Sequence, residues 1–269
     1  MGRFVVAVLV ALVVLPVSAV QASGRDDGSI PAPANIVQRV TSVPPRTLDA
    51  VGAGRLSGRT VFTVKRLHRA LTRAGKPELV SMNLAWCPHC AADSWALAVA
   101  LNRFGTLTGL RVINSGTYYC TLVHDPCNLT ATPCYPNTHG LSFIDSRYRS
   151  RYLTFTPIVL QDVHGHNLER IPPRDAPALK AFDPQGQTPE VDVGGAFGFV
   201  NSGFSPGALA GLSWTQIADR LADPHAAVAQ HVDGVANVLT AAICRATKGL
   251  PRTVCASRGV MAAGRARLG

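Results

Sequence analysis

Trp86-Cys87-Pro88-His89-Cys90 constrains the fold of this chain more than any other stretch. It follows a short apolar run, residues 79–84, and opens an apolar segment, residues 91–104. Strand, Cys-x-x-Cys and helix in that order make a dithiol redox-active. The helix N-terminus points unpaired N–H groups and its positive dipole end at the first sulfur, which favours the Cys87 thiolate. Pro88 suits the first helical turn, where its missing N–H costs nothing. A protonated His89 would favour the thiolate further. Two other uses of the pair compete. Half of a zinc site needs a second pair at similar spacing, and Cys120, Cys127, Cys134, Cys244 and Cys255 offer none. The other competitor is an inert structural disulfide.

The N-terminus reads as an address. Met1-Gly2-Arg3 precedes an uncharged run, residues 4–20, and a small-x-small cleavage site after Ala22, with Val17-Ser18-Ala19 as a second such site. At roughly 17 residues the run is short for a membrane span, which takes about 20. Residues 1–22 are therefore expected to be an export signal or, if uncleaved, an anchor in the cytoplasmic membrane. The remainder would be extracytoplasmic, secreted or membrane-attached. No cysteine follows the apolar run, which argues against a lipoprotein.

Outside the cytosol disulfides persist. Cys244 and Cys255 flank a Gly-Leu-Pro turn and are expected to form a structural disulfide. Cys120, Cys127 and Cys134 crowd one loop. Cys127–Cys134 would close a small loop, with Cys120–Cys134 as the rival pairing. One of these thiols is left over, either free, paired between chains, or exchanging with the active dithiol.

The net charge of +10 comes from dispersed basic residues, without aromatic interleaving or a nucleic-acid motif. A solvated face that favours anionic envelope surfaces accounts for it, and nucleic acid is not an expected partner.

Along the chain, residues 23–50 are polar and proline-bearing and read as a linker or arm. A domain is expected over residues 51–222. It starts with a strand at residues 60–64 and a helix carried by Val64, Leu67, Leu71 and Ala74 at helical spacing. The strand before the dithiol, the buried helix after it and a strand at residues 110–113 complete a β-α-β-α-β pattern with a parallel sheet. Residues 114–187 break the pattern and read as an insertion, with an alternating run at 152–160 and a helical turn at 176–182. Thr188-Pro189 precedes a hairpin, residues 190–193 and 197–200, turning at Gly194-Gly195. A helix from Ser205-Pro206 to Leu221 follows, then a helical extension over 223–258 opened by Asp223-Pro224, and a basic tail, 259–269.

That order resembles a thioredoxin fold with a long insertion before the Thr-Pro loop. The resemblance makes Cys87 the exposed nucleophile and Cys90 the resolving cysteine, and makes Thr188-Pro189 a cis proline loop beside them. Trp86, Pro88 and His89 would shape the site. A closer resemblance is to a thioredoxin-like family of exported or membrane-anchored actinobacterial proteins, domain-of-unknown-function family 929. It is carried by Thr41-Ser42-Val43-Pro44, residues 48–54, Gly75-Lys76-Pro77-Glu78, Cys87-Pro88-His89-Cys90-Ala91-Ala92, Trp95-Ala96-Leu97, residues 100–105, Tyr135-Pro136-Asn137-Thr138, residues 152–155, and Ile243-Cys244 with Val254-Cys255. Asp93-Ser94-Trp95 departs from the family's Glu-Arg-Trp, so a cation near the site is missing. The acid that many thioredoxin folds carry in the strand before the dithiol is also missing. Ser81 and Asn83 stand there, with Glu78, Asp93 or a water molecule as substitutes.

The function expected is a thiol–disulfide oxidoreductase of oxidase or isomerase type. It would act on protein thiols and disulfides with a membrane redox partner, without cofactor or metal. The second reading is a non-catalytic binding module of the envelope that uses the loop tyrosines, Tyr118, Tyr119 and Tyr135. A metal-carrying use of Cys87, Cys90 and His139 or His164 has no spacing to support it.

Overall fold

A computed structural model describes residues 26–55, 63–123 and 134–269. The chain runs β1 (Ile30–Pro31), α1 (Ala34–Thr41), α2 (Pro45–Val51), β2 (Thr63–Arg66), β3 (Thr72–Arg73), β4 (Lys76–Asn83) and α3 (Pro88–Asn102). Then come β5 (Gly105–Thr108), β6 (Arg111–Asn114), α4 (Tyr118–Val123), β7 (His139–Ser142), β8 (Arg147–Ser150), β9 (Thr154–Val159) and α5 (Ala176–Phe182). The last part holds β10 (Glu190–Val193), β11 (Phe197–Val200), a 3-10 turn (Pro206–Leu209), α6 (Trp214–Arg220), α7 (Ala227–Ala246), α8 (Arg252–Cys255) and α9 (Arg258–Arg267). The architecture is mixed α/β.

β4 is the axis of the main sheet. β9 runs parallel to it, from Glu78 opposite Thr154 to Asn83 opposite Val159. On its other side β10 is antiparallel, with Leu79 opposite Val193 and Ser81 opposite Val191. β11 returns along β10, and β2 closes that edge. Because side chains alternate across a strand, Leu79, Val191, Val193, Phe197 and Phe199 pack into the larger core with α3 and α7. Val80, Met82 and Ile158 face the other way, onto Leu179 of α5. Gly198 lies on that second face, and a Cβ there would sit 2.4 Å from the Phe182 ring. The glycine is what lets α5 seat.

α3 is buried over most of its circumference, as its all-round apolar pattern requires. α7, the one described helix long and apolar enough to cross a membrane, is 83% buried over its apolar window and is a core helix here. Asn237 on α7 donates to the Leu48 and Gly52 carbonyls, both at 2.8 Å, and accepts from Arg103 Nη1 at 2.8 Å. One side chain thus ties α2, α7 and the end of α3 together.

Several expectations are corrected. Residues 23–50 are not a linker over their described part. β1 joins β6, and Ile36, Val40 and Leu48 enter the main core. The prolines that suggested a loose arm start helices instead: Pro33 and Pro44 precede the first turns and Pro45 occupies one. No helix forms across Val64, Leu67, Leu71 and Ala74. The N–H groups of Leu67, Arg69 and Leu71 bond to the carbonyls of Ala196, Gly195 and Gly194, so every second residue pairs with the hairpin turn and sheet pairing overrides the helical spacing. The expected strand at 60–64 begins outside the described residues.

The strand near 110–113 exists as β6, but it lies in a separate antiparallel sheet ordered β1-β6-β7. The parallel partner of β4 is β9, so residues 114–187 contain a core strand as well as loops. The expected helix from Pro206 to Leu221 breaks at Gly211, whose φ is 71°, and restarts at Ser213 with a capping box. Asp223-Pro224 does not open α7, whose N-cap is Ala226. Residues 259–269 are no free tail: α9 buries Val260 and Ala263 and packs against α7. The hairpin and α5 form where expected.

Cys244–Cys255 is bonded, joining α7 to α8. Cys134 pairs with Cys120, not with Cys127, because Cys120 in α4 comes within a Cα–Cα distance of 4.9 Å, inside the range a disulfide spans. Cys127 lies outside the described residues.

Candidate active site

Cys87 is the N-cap of α3. Its Sγ accepts the Cys90 N–H at 3.3 Å, while Pro88 fills the first helical position. Cys90 lies one turn on, and its Sγ accepts the Leu84 N–H at 3.5 Å. Both thiols are unpaired and buried, so Cys87 is not the exposed sulfur that the thioredoxin resemblance implied, because the surrounding loops cover the start of α3.

Their environments push them apart. Burial opposes ionisation of Cys87, but hydrogen bonds from Cys90, the His89 N–H and Thr188 outweigh it and bring the thiol below its usual value. Burial and the neighbouring Cys87 charge push Cys90 well above. Cys87 is thus the more readily ionised sulfur of the two and Cys90 the less.

Thr188 and Pro189 lie where the sequence placed them. The Thr188–Pro189 peptide is cis, and the Thr188 side chain hydrogen-bonds to each sulfur. His89 does not contribute a cation. Burial lowers its pKa below 6.5. Ser202 Oγ donates to the Phe204 carbonyl at 2.7 Å, so it accepts from His89 Nδ1–H at 2.9 Å. The imidazole is neutral, and its backbone N–H serves the thiolate.

An aromatic wall surrounds the dithiol. Trp86 donates from Nε1 to Gln161 Oε1 at 2.7 Å. It meets Tyr118 edge-on at 5.4 Å and stacks on Tyr119 at 6.0 Å. Tyr135 stands edge-on to His89 at 6.1 Å, and its hydroxyl accepts from Ser205 Oγ at 2.8 Å.

Behind Cys90 is a cavity of about 30 Å³, lined by Cys90, Asn83, Ser94, Ser142 and Asp27. Most of its lining is apolar, from residues such as Ala85, Ile113, Phe143 and Val159, with these polar groups set among them, and it is of a size that holds a water molecule. Asp27 is buried and accepts from the Ser29 N–H at 3.0 Å and from the hydroxyls of Ser29 and Ser142. Sequence reasoning missed this acid because it comes from the segment read as a linker.

The two acids expected as substitutes for it lie elsewhere. Glu78 sits at the start of β4, paired with Arg73 and Arg174 and accepting from Thr156. Asp93 is buried on α3, receives the Gly203 N–H and has one oxygen without a hydrogen-bond partner. Burial raises its pKa to about 7. Its neighbour Ser94 donates to the Ala91 carbonyl at 2.7 Å and accepts the Leu141 N–H at 2.8 Å. The position where a cation was missed is thus closed against β7.

No group of three or more His, Cys, Asp or Glu among the described residues could hold a metal. His139 is engaged with the Leu212 carbonyl at 2.7 Å and with Trp214, and His164 neighbours His166. The Cys244–Cys255 bond belongs to α7 and α8, which do not frame the dithiol.

Residues 63–171, from β2 past the dithiol to the loop before α5, match the model of a family described as Domain of unknown function (DUF929). The match supports the family resemblance over that segment. No curated protein and no solved structure matches the chain.

Proposed function

We propose that the chain is a thiol–disulfide oxidoreductase built on a thioredoxin-like core and working outside the cytoplasm. The observation that carries this reading is the geometry of the pair: Cys87 caps the N-terminus of α3 and accepts the Cys90 N–H, and the unpaired Cys90 thiol lies one turn on. The thioredoxin-like part is supported by the sheet neighbours β9-β4-β10-β11, by α3 leaving β4 at the dithiol, and by the cis Thr188–Pro189 bond before β10. The two further disulfides favour an oxidising compartment.

In the oxidised form a substrate thiolate attacks Cys87 Sγ, and the Cys90 sulfur leaves. Cys90 regains a proton through the cavity it shares with Asp27. A second substrate thiol attacks the mixed disulfide and releases Cys87 as a thiolate, which the Cys90 and His89 N–H groups receive. The substrate loses two electrons and two protons, and the dithiol gains them. A stabilised leaving thiolate makes the pair more oxidising, which supports an oxidase or isomerase over a reductase.

Cys87→Ser abolishes the activity in this account. Cys90→Ser accumulates mixed disulfides through Cys87, seen as thiol-sensitive adducts by mass spectrometry. Full oxidase activity in both variants would sink the reading. The binding-module alternative rests on the Trp86, Tyr118 and Tyr119 cluster, and it requires partner capture that persists in Cys87→Ser.

A further inference from the structure

The Cys120–Cys134 disulfide stands in a different position from Cys244–Cys255. Each of its half-cystines is flanked by a tyrosine that contacts the dithiol motif. Tyr119, just before Cys120, stacks on Trp86, the residue before Cys87. Tyr135, just after Cys134, packs against His89, between the two thiols in sequence. Burial, with the charges of Cys87 and Tyr135, raises the Tyr119 pKa, as expected if the three groups share one electrostatic environment.

The loop is anchored on both sides. The Asn137 N–H donates to the Gly116 carbonyl at 2.8 Å, and the Thr138 N–H to Ser115 Oγ at 3.1 Å. These bonds fix the loop, and with it the tyrosines on either side of the bridge, against Trp86 and His89 of the dithiol motif. Exposure also differs: Cys87 and Cys90 are buried, whereas Cys120 and Cys134 are half-buried and open to external thiols.

We propose that Cys120–Cys134 is a second redox centre that exchanges electrons with Cys87 and Cys90 inside the same chain, an extension that rests on the oxidoreductase reading above. The Cys87 thiolate attacks one sulfur of the bridge. A Cys87–loop disulfide forms and the other loop sulfur leaves as a thiolate. Cys90 then gives up its proton and attacks Cys87, releasing the second loop sulfur. Two electrons and two protons pass from Cys87/Cys90 to Cys120/Cys134, and no outside reagent is consumed. The half-buried loop pair is a second port, beside direct attack on Cys87, through which external protein thiols and disulfides exchange electrons with the buried dithiol.

The test uses the full mature chain carrying Cys127→Ser, so that the third loop thiol takes no part. In this background Cys90→Ser is prepared without added thiols, alkylated under acid quench and digested. The expected product is a peptide cross-linked through Cys87 to Cys120 or Cys134. A Cys87 that alkylates as a lone thiol in every molecule, with Cys120–Cys134 intact, overturns the relay.

A second measurement leaves all six remaining cysteines in place. The protein is taken to the same overall redox state once from the fully reduced and once from the fully oxidised form. A relay brings both samples to the same distribution of label between the two pairs within minutes, whereas lasting dependence on the starting form overturns it. Exchange of Cys87–Cys90 with oxidised glutathione is followed in parallel. If that exchange is normal while the cross-link is absent, the relay falls and the oxidoreductase reading stands. If Cys87–Cys90 does not exchange at all, both fall.

Discussion

Asp27 and Cys90 line the same buried cavity, although one belongs to the N-terminal segment and the other to the first turn of α3. In the mechanism proposed above, this cavity is the route by which Cys90 loses and regains its proton. Asp27 is fixed there by Ser29 and Ser142, so its carboxylate cannot turn away.

Asp27→Asn should slow the step in which Cys90 acts as nucleophile by about 100-fold near pH 7, the lower end of the range for loss of a positioned base. Alkylation of Cys87 should be unchanged. The defect should shrink as pH rises, since Cys90 then ionises without help. Stopped-flow fluorescence with a dithiol substrate reads all of this. A uniform loss at every pH would mean that Asp27 only supports the fold.

Thr188→Val removes a hydrogen bond that favours the Cys87 thiolate. The midpoint of Cys87 alkylation against pH should move up towards the usual 9.0. Alkylation at pH 7 should slow by roughly three- to tenfold, the value of one such bond. An unshifted midpoint would remove Thr188 from the site.

Glu190 is buried with neither carboxylate oxygen hydrogen-bonded. Burial, with the charges of Asp183 and Asp192, raises its pKa from 4.5 to about 8. The folded state then holds this proton up to about pH 8, and the unfolded state loses it near 4.5. The folded state binds more protons between those values, so stability falls as pH rises through that window. Glu190→Gln should flatten the slope and raise stability near pH 7 by about 1–3 kcal/mol. Below pH 4.5 it should give little gain. Urea denaturation at pH 4, 6 and 8 measures it, and an unaltered slope would contradict the assignment.

Gly140 on β7 passes so close to α3 that a Cβ there would lie 2.6 Å from both Ala91 Cα and the Ala91 carbonyl oxygen. Neither atom can rotate aside. Gly140→Ala should destabilise the protein by about 1–3 kcal/mol, the usual cost of overpacking. It should also disturb the helix start that holds Cys87. Denaturation and Cys87 alkylation rates should change together, and retention of both would contradict this packing.

The site was legible where its chemistry is local. Cys87, Pro88 and Cys90 are consecutive enough to imply a helix start, and Thr188-Pro189 announces itself before a clear hairpin. Asp27 and Ser202 reach the dithiol only through tertiary folding, and nothing around them in sequence distinguishes them. The fold misread where two patterns coincide. Leu67 and Leu71 satisfy helical spacing and strand alternation alike, and only the hairpin carbonyls of Ala196 and Gly194 decide between them. Ile36, Val40 and Leu48 were hidden among prolines and polar residues, since a proline that starts a helix looks like one that prevents it. The alternating run at 152–160 showed β9, but not its place beside β4, since that pairing skips the intervening β5–β8 region.

The central claim is that Cys87 and Cys90 form an exchanging redox couple. Its most direct test is the reduction potential of that pair, measured by alkylation and mass spectrometry across glutathione buffers. The account predicts rapid equilibration and a potential more oxidising than the roughly −270 mV of thioredoxin. A pair that never exchanges with glutathione would contradict it and leave the dithiol a structural element.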